Sequence, residues 1–191
     1  YALTMARRGG RKTTNRIALL WTLGCAVMSF VGAGFLGFAH TLPQVNLWTH
    51  GTLITAMHGH MAFWGAYAMI VLAMISYAMP ELTGRAMYKS WMAEWAFWAT
   101  NVGMIGMTGA FAVMGIAQVY MERKAGMDFL EVQESLQVHA FGLVLAASLL
   151  TLGVALFIKN FLDYGFPQEV PTGAPAGAKL DPRPADRRKD H

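Results

Sequence analysis

Apolar residues in this chain fall in long unbroken runs, not at the spacing of a half-buried helix or an alternating strand. Four such runs stand out: Ile17–Ala39, Leu53–Met79, Trp91–Val119 and Leu136–Ile158. Each exceeds the roughly 20 residues needed to cross a bilayer. In lipid the backbone must satisfy its own hydrogen bonds, so a spanning segment is a helix unless strands close into a barrel. No apolar/polar alternation of period two appears, so the pattern predicts an all-α membrane protein with four transmembrane helices over residues 17–163.

Charge sharpens this picture. Only 14% of the 191 residues are charged, against 55% hydrophobic, and the apolar runs hold almost none, Glu94 in the third being the exception. Threading four helices in order puts 1–16, the connection around Pro80–Ser90 and everything after Ile158 on one side. That side holds thirteen of the fifteen Lys and Arg residues, leaving Arg123 and Lys124 on the other. The positive-inside rule then predicts that both ends of the chain are cytoplasmic. Basic residues gathered at membrane edges account for the net charge of +4, so no nucleic-acid partner is expected. Residues 1–16 read as a basic cytoplasmic loop, with no signal peptide, because the first apolar run is too long. Residues 164–191, rich in Pro, Gly and charge, read as a disordered cytoplasmic tail. The chain begins at Tyr1, and Tyr1-Ala-Leu-Thr-Met resembles the end of an earlier apolar segment, which leads us to expect further helices upstream. The single cysteine, Cys25, permits no disulfide within the chain and reads as a small packing residue.

The candidate chemistry lies in the second run, which contains Met57-His58-Gly59-His60-Met61. Ionisable residues at membrane depth are expensive and mark functional sites. A helix turns about 100° per residue, so His58 and His60 point to opposite sides of one helix. A shared metal calls instead for histidines four apart on one face. Opposite faces suit two separate planar cofactors, and haem irons take imidazole axial ligands between the helices of a bundle. Gly59 between them allows close approach of a flat macrocycle or a neighbouring helix. On the residues alone, satisfied polar core histidines remain the alternative.

From Ile17 to about Ile158 the chain resembles the last four helices of the twelve-helix haem-copper oxidase catalytic subunit. Within that superfamily, His50-Gly51-Thr52 followed by Met57-His58-Gly59-His60-Met61-Ala62-Phe63-Trp64-Gly65-Ala66-Tyr67 resembles the large subunit of cytochrome c-dependent nitric oxide reductases. His40-Thr41-Leu42 and Ser76-Tyr77-Ala78-Met79-Pro80-Glu81-Leu82 point the same way. The resemblance implies that His58 is the proximal ligand of the high-spin haem b3 and His60 an axial ligand of the low-spin haem b. It implies that His50 and Thr41 lie near the haem propionates, although both could be ordinary polar loop residues. It further implies a non-haem iron whose ligands lie outside this chain, a calcium ion at the propionates, and a small cytochrome c subunit as partner. The implied reaction is reduction of nitric oxide to nitrous oxide in a bacterial inner membrane. A quinol-dependent relative, an oxygen-reducing oxidase and a non-catalytic dihaem cytochrome remain alternatives.

Other polar positions have simpler readings. Glu94 can snorkel to the interface or pair with a basic residue, with a proton-path role as the alternative. His139 reads as interfacial, and Asn101 and Thr108 as interhelical hydrogen-bonding groups. Gly103, Gly106 and Gly109 predict a smooth packing face, and Trp91, Trp95 and Trp98 an aromatic belt.

Overall fold

The computed structural model describes residues 15–83 and 89–164. Among these residues all regular structure is helical, and four helices are long and apolar enough to cross a membrane: Arg16–Thr41, Leu53–Pro80, Ser90–Lys124 and Phe129–Asp163. These are called the first to fourth spans. The segment 1–14, including Arg7, Arg8, Arg11 and Lys12, and the segment 165–191 lie outside the described residues, as does Arg85. The expectations of a basic loop and a disordered tail fall on those segments.

Local chemistry explains where the helices start. The side-chain oxygen of Asn15 accepts from Ala18 N (2.9 Å), that of Thr52 from Ile54 N (3.3 Å) and that of Asp128 from Leu130 N (3.0 Å). Each is an N-cap for otherwise orphaned N–H groups. Gly51 (φ 74°) and Gly126 (φ 69°) supply the left-handed backbone that turns the chain into the second and fourth spans. Pro43 opens a short helix, Pro43–Thr49, between the first two spans.

The span ends differ from the sequence expectation in instructive ways. The second helix continues through Pro80 to Thr83. Proline has no N–H for the carbonyl four residues back, that of Ser76. Asn15 Nδ2 donates to that carbonyl instead (2.8 Å), so the first span repairs the defect in the second. The third span extends to Lys124 through a wide π-turn, Tyr120–Lys124. The fourth starts at Phe129, not Leu136. Its first helix, Phe129–Leu136, buries Val132 and Leu136 beside Met114, and a tight turn at Gln137–His139 leads into Ala140–Tyr164. His139 is exposed at that turn.

Small residues let the helices approach. A Cβ on Gly103 would lie 2.5 Å from Leu150 N, so the third and fourth spans touch backbone to backbone there. A Cβ on Gly106 would meet Ala146 at 3.1 Å, whereas one on Gly109 would meet nothing within 4 Å. The expected glycine face is therefore a contact over its first two members only. Trp21, fully buried, binds three spans together, its ring edge-on to Phe97 (5.1 Å) and Phe157 (5.8 Å). Asn101 accepts from Trp64 Nε1 across helices (3.3 Å), as expected. Thr108 does not: its hydroxyl donates to Met104 O within its own helix (2.7 Å). A Thr Oγ reaches the carbonyl one turn back, which serves it without a partner helix.

Arg16, Lys89 and Lys159 gather at one end of the bundle, where Arg16 lies 3.7 Å from Glu94 and Asn160 bonds the backbone of Lys89 (3.3 Å). Glu94 thus pairs with a basic residue. Trp91, Trp95 and Trp98 face outward at the same end. The outward faces carry many more large apolar side chains, Phe35, Phe38 and Val113 among them, as lipid or further protein requires.

Candidate functional site

The first and second spans each contain a π-turn, Phe30–Leu36 and Trp64–Ala68. A π-turn shifts the hydrogen-bond ladder by a residue, and such turns cluster at functional sites. The two turns lie on their shared interface. A Cβ on Gly32 would stand 2.6 Å from the Met61 carbonyl carbon, and one on Gly65 would stand 2.5 Å from that of Met28. Each turn also offers a carbonyl to a donor from the other span. Gly32 O accepts from His58 Nδ1 (2.9 Å), and Gly65 O accepts from Cys25 Sγ (3.1 Å). Cys25 is therefore a hydrogen-bond donor as well as a packing residue.

This places His58 on the face of the second span that meets the first. A carbonyl oxygen only accepts, so Nδ1 carries the hydrogen and the neutral ring keeps its lone pair on Nε2. Gly37 borders that ring, its would-be Cβ lying 3.3 Å from Cε1 and 3.9 Å from Nε2. No side chain at position 37 covers this edge.

His60 faces the other way. Its ring is exposed and packs on Phe111 of the third span, with centroids 4.9 Å apart. Its Nδ1 donates to Ala56 O of its own helix (2.8 Å), again leaving Nε2 with a free lone pair. Beside it runs an open groove of about 540 Å³ lined by Ala56, Gly59, His60, Phe63, Trp64, Ala68 and Met104. A flat, largely apolar macrocycle with one axial nitrogen fits such a groove, apolar apart from its single imidazole. A Cβ on Gly59 would meet nothing within 4 Å, in keeping with that open space. Among the described residues no three His, Cys, Asp or Glu side chains group as a metal site.

Of the two positions expected in the first loop, Thr41 is instead the last residue of the first span and His50 lies in the connection. Thr41 is exposed and donates to Phe38 O (2.7 Å). His50 is exposed where the short helix ends, and its carbonyl accepts from Arg123 (3.4 Å). Two residues escape a reading of the sequence. His40, next to Thr41, stacks its ring on that of His58, with centroids 5.0 Å apart and planes 22° from parallel. Gln118, almost fully buried, accepts from Leu53 N (2.8 Å) and donates to Glu122 (2.9 Å), locking the start of the histidine-bearing helix to the third span. The sequence signals neither contact, because both are made across spans.

Four apolar helices with two imidazoles presented from opposite faces of one span make a multi-pass membrane protein whose polar groups lie where helix bundles build cofactor sites. The chain belongs to the cytochrome c and quinol oxidase polypeptide I family, whose model matches residues 1–150. It is 38% identical to a nitric oxide reductase subunit of Stutzerimonas stutzeri over 188 residues, 93% of this chain and 39% of that protein. It is 32% identical to a cytochrome c oxidase subunit 1 homolog of Agrobacterium tumefaciens (strain T37) over 100 residues, 52% of this chain and 19% of that protein. It is 30% identical to cytochrome c oxidase subunit 1 of Rhodobacter capsulatus over 104 residues, 51% of this chain and 20% of that protein. The chain thus spans about two fifths of the first relative's length and about one fifth of the others'. It is a multi-pass membrane member of an oxidoreductase family.

Proposed function

We propose that this chain is the haem-binding part of a nitric oxide reductase catalytic subunit. The reaction joins two nitric oxide molecules with two electrons and two protons to give nitrous oxide and water. The observation that carries the reading is the second span itself: His58 and His60 sit on opposite faces, each with Nδ1 tied to a carbonyl and Nε2 free. The likeness to the Stutzerimonas stutzeri nitric oxide reductase along nearly the whole chain supports it.

In this reading His58 would hold the iron of high-spin haem b3 through Nε2, and His60 would hold that of low-spin haem b through its own Nε2. The haems supply one-electron chemistry at iron. The chain's residues supply orientation. Gly32 O and Ala56 O fix the two rings and make them better donors, as partners of ligating histidines do. Phe111 packs on the His60 ring, and Trp64 and Met104 give the groove beside it an apolar lining. With only Gly59 between the ligands, one backbone segment links the two haems. Thr41 and His50 would contact the haem propionates, where a calcium ion would balance the negative charge. A non-haem iron and the second ligand of haem b would be held by residues outside this sequence.

A small cytochrome c subunit docks at the end of the bundle that carries Thr41 and His50, the periplasmic side of a bacterial inner membrane. Both ends of the chain are then cytoplasmic. A second reading, an oxygen-reducing oxidase, is favoured by the two oxidase subunit 1 relatives. The test is turnover by the purified full-length complex with reduced cytochrome c as donor. Nitrous oxide formation from nitric oxide supports the proposal. Oxygen consumption without nitric oxide reduction overturns it in favour of the oxidase, and activity only with a quinol removes the cytochrome c partner.

A further inference from the structure

His40 and His58 come from different spans and stand 18 positions apart, yet their rings stack at 5.0 Å and 22°. Both are anchored by the same stretch of the first span. His58 Nδ1 donates to Gly32 O (2.9 Å), and His40 Nδ1 donates to Leu36 O (2.8 Å). The two carbonyls are four residues apart, both within the π-turn Phe30–Leu36. One strip of backbone therefore fixes two imidazoles face to face. In the neutral rings both Nδ1 atoms carry hydrogen, so both Nε2 atoms carry lone pairs. The Nε2 of His40 is buried and has no hydrogen-bond partner. A histidine that only filled space would gain nothing from an uncompensated buried nitrogen, which costs free energy when left unpaired. An aliphatic side chain would serve that purpose better.

We propose that His40 is a positioning residue for the ring of His58. This rests on the reading of His58 as a haem ligand. The stacked ring blocks rotation of the His58 imidazole about its Cβ–Cγ bond, and the Leu36 bond keeps the blocking ring in place. The plane of an axial imidazole relative to the macrocycle tunes the iron–nitrogen bond, so His40 sets the strength and uniformity of that bond without touching the iron. Outer partners of metal-bound histidines act this way. Here the partner acts through its ring face, as stacked aromatic pairs do.

The test uses the full-length holoprotein with its partner subunit and reads the iron–histidine stretching band of the reduced high-spin haem by resonance Raman. His40→Leu removes stack and hydrogen bond, and His40→Gln keeps a donor for Leu36 O but has no ring. Both should shift the band by several wavenumbers and broaden it, with haem content retained. His40→Phe, which keeps the stack, should restore most of the parent band. A band unchanged in the Leu and Gln variants overturns the proposal, and so does failure of Phe to restore it. If the Leu variant does not assemble, the Gln and Phe pair decides by the same criterion. His58→Ala separates the two levels: a retained high-spin haem with its iron–histidine band sinks the ligand reading itself, whatever the His40 variants do.

Discussion

Gly32→Ala tests whether packing between the first two spans controls the histidine that they share. A methyl at position 32 would stand 2.6 Å from the Met61 carbonyl carbon and 2.7 Å from Ala62 N, both rigid backbone. Ordinary contact begins near 3.4 Å, so the spans must part locally by about 0.8 Å. The same displacement would stretch the bond from His58 Nδ1 to Gly32 O from 2.9 Å to about 3.7 Å, beyond hydrogen-bonding range. Overpacking of this kind costs about 1–3 kcal/mol, and losing a neutral hydrogen bond about 1 kcal/mol more. Loss of the partner of a metal-bound histidine weakens metal binding about 10–100-fold. The expected result is a selective drop in high-spin haem affinity, with the haem on the His60 face kept. Haem titration of the purified protein, followed by optical spectra that separate the two spin states, measures it. Gly34→Ala is the control, since its nearest new contacts would be 3.8 and 3.9 Å away. Equal haem affinity in the Gly32 and Gly34 variants would refute the coupling.

Three further outcomes are expected. His58→Ala should remove the high-spin haem and spare the low-spin one, and His60→Ala the reverse; spectra in which both variants lose the same haem would sink the two-face assignment. Asn15→Ala should destabilise the fold by about 2 kcal/mol, roughly half from the N-cap and half from the bare Ser76 carbonyl. In a Pro80→Ala background, where residue 80 regains an N–H for that carbonyl, Asn15→Ala should cost about 1 kcal/mol less; additive unfolding free energies across the cycle would show no such coupling. Gly103→Ala should lower the unfolding midpoint by forcing the third and fourth spans apart at Leu150, at a cost of about 1–3 kcal/mol, whereas Gly109→Ala, with open space around it, should not.

The span boundaries show which physics is local. Chain entry at Asn15 and Thr52 is readable because the capping oxygen and the apolar run are neighbours in sequence, joined at Thr52 by the turn glycine Gly51. The placement of His58 and His60 on opposite faces is readable for the same reason, since helix periodicity alone fixes it. The start of the fourth span is not, because Phe129–Leu136 is half polar, and only burial of Val132 and Leu136 beside Met114 makes it the helix entry. Nor is the partner of Thr108, because a hydroxyl in a helix can bond one turn back or across, and only the neighbouring span decides.

The sequence by itself determined four apolar helices and two imidazoles aimed apart, because both follow from hydrophobicity and a fixed turn angle. The tertiary structure decided what holds those imidazoles. Three carbonyls of the first two spans, at Gly32, Gly65 and Ser76, receive donors from His58, Cys25 and Asn15 of the opposite span. Each carbonyl sits at or next to a break in helical regularity, two π-turns and a proline. Which donor reaches it depends on how two helices distant in sequence lie against each other. The stack of His40 on His58 belongs to the same class, and no spacing along the chain foretells it.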